Sequence, residues 1–228
     1  MIGIIGAMRV ETEALKAQME NPKTECISGI EFVSGKLCGK DAVVAQCGIG
    51  KVFAAICAQT MILRYHPTCI LNTGVAGTLT PALGILDLAV STEVVQHDMD
   101  TSAIGDPVGL ISGINIVKIP AAGALCDLIA DTARAMGVNC RRGVIASGDL
   151  FVNKAEKKAW IRDTFDAVAC EMEGASIGHV CYVNGVDFAI IRAISDNASG
   201  EADMEYPEMV EKAAGISQAL LCNVIEKL

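Results

Sequence analysis

Three short stretches place ionisable side chains where apolar runs come to an end. In FAIIRAISDNASG, residues 188–200, Arg192 interrupts an apolar run and Asp196 follows four positions later. ACEMEG, residues 169–174, sets Glu171 and Glu173 at the mouth of another apolar stretch, and RVETEALKAQME opens with Glu11 and Glu13. Alternate residues of a strand share a face, so Arg192, Ile194 and Asp196 should point the same way and line one pocket. A buried guanidinium left unpaired costs roughly 3–5 kcal/mol, so Arg192 must meet a carboxylate or a polar network, whether in a structural ion pair or in a working site. Glu11 and Glu13 fall in the first turn of a helix, where the macrodipole favours an ionised carboxylate; either could be a base, and plain helix-terminal charge would look the same. Carboxylates from three loops, one arginine and glycine loops that let backbone approach a ligand suit a hydrolytic site.

Other chemistries fit less well. GIGKV lacks the spacing and hydroxyl of a Walker loop, and no GxGxxG follows the first strand. His66, His97 and His179 are dispersed, and the HDMD stretch at 97–100 has no distant ligand partner, so the sequence predicts no metal and no cofactor. The net charge of −9 argues against duplex nucleic acid or an anionic membrane surface as partner and for a small molecule. Ten scattered cysteines without a CxxC pair, and a start directly on MIGIIGA rather than on a signal peptide, point to a reducing cytoplasm. The longest uncharged segment, residues 65–86, is broken by Asn72, threonines, glycines and prolines and does not read as a membrane span.

The elements that must position these residues alternate. IGIIGAM reads as a strand running into a helix; residues 24–47 read as three β-rich pieces in a meander; GIGK opens an apolar helix to about Tyr65; CILNTGVAG reads as a central strand ending in a glycine loop. Further strands are expected over 86–95, 113–119, GVIASGD, DAVAC and FAIIRAIS, with a helix over 120–136. A last helix with Pro207 in its first turn carries Met209, Ala213, Ile216, Leu220, Val224 and Leu228 on one face. With 52% hydrophobic residues and no linker or repeat, the 228 residues are expected to form a single domain: a three-layer α/β/α fold with a central mixed twisted sheet. Ligands of such folds gather where strands end, so the GAM, NTGVAG, SGDLF, CEME and AISD loops are the expected wall of one site.

The ordered set IGIIGAM..E, GIGK, NTGxAG, SGDxF, EME and RAISD resembles the 5′-methylthioadenosine/S-adenosylhomocysteine nucleosidases of the purine nucleoside phosphorylase superfamily, over nearly the whole chain. The resemblance implies a nucleoside phosphorylase-like fold, a homodimer, and cleavage of adenine nucleosides. It implies that Asp196 supports protonation of purine N7, Glu11 holds and activates water, Glu173 binds ribose hydroxyls and Arg192 helps hold the water and the carboxylates. Phe151 would stack on the purine and Val152 would offer backbone groups to its edge. Met8, Ile49, Met172 and Tyr206 would enclose the ribose and the 5′-thioalkyl group, with Gly77 and Ser195 also at the substrate. The chemistry agrees: the broken bond leaves positive charge on the sugar and negative charge on the base, and each needs its own stabiliser. Asp196 would then need a desolvated site that keeps a proton on it, and Glu11 would have to stay ionised.

The chain departs from that family where Val75 replaces a hydroxyl in NTGSAG, and where Ile104 and Asp106 stand in a segment that reaches the neighbouring subunit's substrate. Methylthio, homocysteinyl, 5′-deoxy and futalosine-type substrates all remain open. A phosphorylase would need a cationic pocket, for which only Arg9 and Lys51 are near in sequence. A noncatalytic nucleoside-binding protein would bind without forming product.

Overall fold

The structure, a computed structural model, describes residues 1–196 and 206–228, and for Tyr206 and Pro207 the backbone alone. The described residues form ten strands and six α-helices: β1 (Ile2–Gly6), α1 (Arg9–Ala17), β2 (Glu20–Ile27), β3 (Ile30–Leu37), β4 (Lys40–Gln46), α2 (Lys51–Tyr65), β5 (Cys69–Thr78), β6 (Leu88–Gln96), β7 (Ile119–Pro120), α3 (Gly123–Ala135), β8 (Cys140–Ser147), α4 (Ala155–Phe165), β9 (Ala167–Glu171), α5 (Gly174–Asn184), β10 (Asp187–Asp196) and α6 (Tyr206–Ile225). The sheet is mixed, as its sequence suggests, and runs β10-β6-β8-β9-β5-β1-β4-β3-β2.

A further pairing of β10 with β5 closes five of these strands into a ring, because β5 meets β1 over its first half and β9 at Gly77 and Thr78. Strong twist makes such closure natural in a sheet of this size. One face carries α2 and α5 over a core that includes Ile5, Met61, Ile70, Phe188 and Ile190. The opposite face carries α1, α3 and α6 over Ile4, Leu15, Leu71, Ile129, Ile191 and Leu220. Along β10 the two sets alternate, Phe188 and Ile190 one way and Ala189 and Ile191 the other, which is the period of a strand buried on both faces.

Several boundaries differ from expectation for local reasons. Residues 113–119 are not a strand: Gly113 and Asn115 have positive φ and turn the chain, leaving a single bridge between Ile111 and Ile116 before the short β7. The 120–136 helix begins only at Gly123, because the Ala121 and Ala122 amides donate to Thr92 and Phe188 carbonyls. β6 begins at Leu88 rather than 86, after Leu86 takes a left-handed φ of 69°. The glycine-rich NTGVAG stretch is strand rather than loop, paired throughout with β10. On α6, Met209, Ala213, Leu220 and Val224 are buried as expected, whereas Leu228 lies past the helix end and is exposed.

Candidate active site

The loops after β1, β4, β8 and β9 meet the ends of β5 and β10 around a cavity of about 400 Å³. That is ample for a nucleoside-sized ligand. Its wall includes Met8, Glu11, Ile49, Gly77, Phe151, Val152, Met172, Glu173, Ser195 and Asp196, so the structure brings these separated residues to one place. Tyr206 begins α6, but its side chain lies outside the described residues. The wall also includes Leu150 and Cys170, from the SGDLF and CEME stretches, and Asn153, which no sequence pattern had distinguished.

Glu11 is the buried member of its pair, 3% exposed, whereas Glu13 is exposed and joined to Arg9. Glu11 Oε2 accepts from the amides of Ala7 at 2.7 Å and Met8 at 2.9 Å, and Oε1 accepts from Val75 at 3.3 Å. Position N3 of α1 thus caps its own helix while facing the cavity. The strand glycines are required here: a Cβ on Gly74 would lie 2.8 Å from Glu11 Oε1, and one on Gly77 would lie 3.0 Å from Asp196 Oδ1. Burial pushes the Glu11 carboxyl above its ordinary value, although the Met8 amide, Arg192 and the Ala7 amide oppose the shift. The sequence asked only that Glu11 be ionised; desolvation works against that.

Asp196 also sits in a setting the sequence did not suggest. Its Oδ2 accepts from Lys158 Nζ at 2.9 Å and its Oδ1 from the Thr78 amide at 3.2 Å. The site is not an apolar recess, since a nearly buried ammonium faces the acid. Lys158 comes from α4, where it is one lysine of a KK pair; nothing in a helical charge pattern marks which of the two turns inward.

Arg192 is 1% exposed and does not reach the cavity lining. The pairing of β10 with β5 slips between Ile194 and Asp196, which breaks the alternation that would have put Arg192 and Asp196 on one face. Ser195 and Asp196 both reach the cavity instead. Below them, Arg192 Nε donates to Glu171 Oε2 at 3.1 Å, one terminal nitrogen donates to Glu171 and to Asn72 Oδ1, and the other donates to the carbonyls of Asn72 and Ile191. Asn72 was missed, although a polar residue inside an apolar strand is the same signal that singled out Arg192. Glu171 also accepts from Ser147 Oγ and from the amides of Glu173 and Gly174.

Glu173 keeps one anchor: Oε1 accepts from the Gly50 amide at 2.8 Å. Burial, together with the neighbouring Glu171, raises its pKa to about 7 against an ordinary 4.5, and Arg192 restrains the rise. Val75, at the position of the missing hydroxyl, is on the cavity wall, and Ile104 is 81% exposed on a short 3₁₀ turn. Arg9 and Lys51, the possible phosphate ligands, are committed to Glu13 and Asp98. No lysine or arginine is among the described residues of the wall, which carries Glu11, Glu171, Glu173 and Asp196.

A family model for the phosphorylase superfamily matches residues 1–227. The 5′-methylthioadenosine/S-adenosylhomocysteine nucleosidase of Shewanella halifaxensis is 39% identical over 228 residues, covering 100% of this chain and 99% of that protein. A Helicobacter pylori nucleosidase variant with 5′-methylthioadenosine in its active site matches at a TM-score of 0.94 and 38% identity, over 100% of this chain and 98% of the other. A futalosine hydrolase of the same species matches at 0.93 and 38%, over 100% and 97%.

Two outcomes are expected from this geometry. Arg192→Met strands Glu171 in the interior and should lower the unfolding free energy by about 3–5 kcal/mol in urea titrations, with part of the loss regained in Arg192→Met/Glu171→Gln; a single variant as stable as wild type would contradict the ion-pair assignment. Because Glu173 holds its proton in the folded state up to about pH 7 and in the unfolded chain only to about 4.5, its ionisation weakens the fold as pH rises through that window. Unfolding free energies of Glu173→Gln relative to wild type should therefore climb between those two pH values and level off above; a pH-independent difference would show that Glu173 is not perturbed.

Proposed function

Because the chain belongs to the phosphorylase superfamily, and within it to the 5′-methylthioadenosine/S-adenosylhomocysteine nucleosidases, we propose that it hydrolyses the N-glycosidic bond of those two nucleosides, releasing adenine and the 5-thio-substituted ribose. One observation carries this reading: four carboxylates and no described lysine or arginine line a cavity of nucleoside size. An attacking phosphate would be repelled there, whereas water would not.

In this mechanism water held by Glu11 attacks the anomeric carbon, and Glu11 accepts its proton. The carbon–N9 bond breaks with its electron pair passing to adenine, and N7 takes a proton from the side of Asp196. Glu173 accepts from ribose hydroxyls as positive charge grows on the sugar, and attack from the face opposite the base inverts the anomeric carbon. Arg192 contributes without touching substrate: its charge opposes the upward pressure that burial puts on both Glu11 and Glu173. Phe151 and Val152 serve the purine, and Met8, Ile49 and Met172 the sugar and thioether. Futalosine-type substrates present the same bond, and a relative named for that activity is 38% identical.

The protein is further read as a cytoplasmic homodimer. Its ten cysteines are free thiols, which suits a reducing compartment, and no helix among the described residues is long and apolar enough to cross a membrane. Ile49 at the cavity mouth continues into Phe53 and Ile56 on one flank of α2, and all three are exposed, as is Ile104. A second copy is the natural cover for such a stripe.

The activity test is adenine release from methylthioadenosine with and without phosphate. Free sugar should form at equal rates in both, and Glu11→Gln and Asp196→Asn should each lose about 10²–10⁴ in kcat while remaining folded. Phosphate-dependent turnover to a sugar 1-phosphate, or near-normal turnover by either variant, would refute the assignment. In sedimentation velocity wild type should run as two chains and Phe53→Asp as one; a monomeric wild type would remove the dimer.

A further inference from the structure

Beside the cavity, two segments that border it and the chain just after β6 are fastened together by a closed ring of hydrogen bonds. Asp98 lies just beyond β6. Its Oδ1 accepts from Lys51 Nζ at 2.7 Å, and its Oδ2 accepts from the Asp149 amide at 2.8 Å. The Asp149 side chain returns to the same lysine, its Oδ1 accepting from the Lys51 amide at 2.8 Å. Lys51 Nζ also donates to Gln96 Oε1 at 3.2 Å.

Each link has a local cause. Lys51 is the first residue of α2, whose own N-cap is a glycine with no side chain to offer, so Asp149 satisfies an orphan amide from another segment. Gly50 has a φ of 98°, and a Cβ there would come within 3.1 Å of Asp149 Oδ1. Gly148, immediately before Asp149, has the His97 ring where a Cβ would stand, 2.4 Å from Cε1. His97 is 1% exposed, so the ring of bonds rests on a packed floor. Burial disfavours the Asp98 carboxylate, yet Lys51 and the Asp149 amide hold its pKa below the usual value.

Both ends of the assembly touch the site. The amide next to Lys51, that of Gly50, is the one that anchors Glu173 Oε1. The residues after Asp149, Leu150 to Asn153, are cavity wall on the purine side. We propose that Asp98 is a positioning residue: through Lys51 and Asp149 it fixes the span between Glu173 and the 150–153 wall, and so holds sugar and base in register for cleavage. This rests on the reading of the cavity as an adenine nucleoside site with Glu173 at the ribose.

The span matters only to a ligand that touches both ends. Steady-state hydrolysis of methylthioadenosine and calorimetric binding of adenine alone are measured for wild type, Asp98→Ala, Asp98→Asn and Asp98→Ala/Asp149→Ala, with thermal unfolding to confirm that each is folded. Misplacement of about 1 Å typically costs on the order of 10²-fold, so Asp98→Ala should lose about that in kcat/KM while adenine binds within about 3-fold of wild type. Asp98→Asn, whose amide oxygen keeps one acceptor, should regain about 10-fold of the loss, and the double variant should be little worse than Asp98→Ala because both act on one ring. If Asp98→Ala does not fold, Asp98→Asn carries the test with a loss of about 10-fold. Unchanged kcat/KM, or adenine affinity falling as far as turnover, overturns the proposal. A wild type that does not cleave methylthioadenosine overturns instead the functional reading beneath it.

Discussion

The buried contact between Arg192 and Glu171 is the constraint on which the site depends. Its guanidinium touches β5 through Asn72, its carboxylate partner closes β9, and that carboxylate in turn accepts from Ser147 at the end of β8 and from the first amides of α5. One ion pair therefore knits four strands and a helix at the point where the ring of strands opens to the cavity. The desolvation of two charges is tolerable only because nearly every donor and acceptor on them is matched. It also supplies positive charge beneath Glu11 and Glu173, acids that would otherwise repel one another.

The acids are kept apart by geometry and by what each one meets. Among the described residues Glu11 is held by three backbone amides, Asp196 by an ammonium and one amide, and Glu173 by one amide. Burial shifts Glu11 and Glu173 upward. Three carboxylates of one cavity thus sit in three different settings. The glycines of β5 make the arrangement sterically possible, since Glu11 and Asp196 occupy the volume that side chains at 74 and 77 would fill.

The fold was largely legible because its signals are local. β1, the meander from β2 to β4, α2 and β8 follow from apolar period and turn residues, and elsewhere boundaries deviate where a left-handed residue or a backbone bond to a distant strand intervenes, as at Asn115 before β7 and Ala122 before α3. Closure of the sheet through β10 and β5 was not legible, because pairing between strands more than a hundred residues apart leaves no mark on either sequence. Arg192 was recognised as needing a carboxylate, but the slip at the end of β10 that separates it from Asp196 comes from how that strand meets β5.

By itself the sequence determined which chemical groups were available: an arginine in an apolar strand, acidic residues at strand ends, glycines beside them, and an ordered motif set that resembles one family. Composition and spacing are properties of the chain alone, so they survive without knowledge of the fold. The resemblance singled out Glu11 and Glu173, but only the tertiary structure decided that Glu171 is spent on Arg192, that Arg192 stays off the cavity wall, and that Lys158 meets Asp196. Those outcomes depend on burial and on distances between residues remote in sequence, and electrostatic interaction changes too steeply with both for spacing along a chain to fix it.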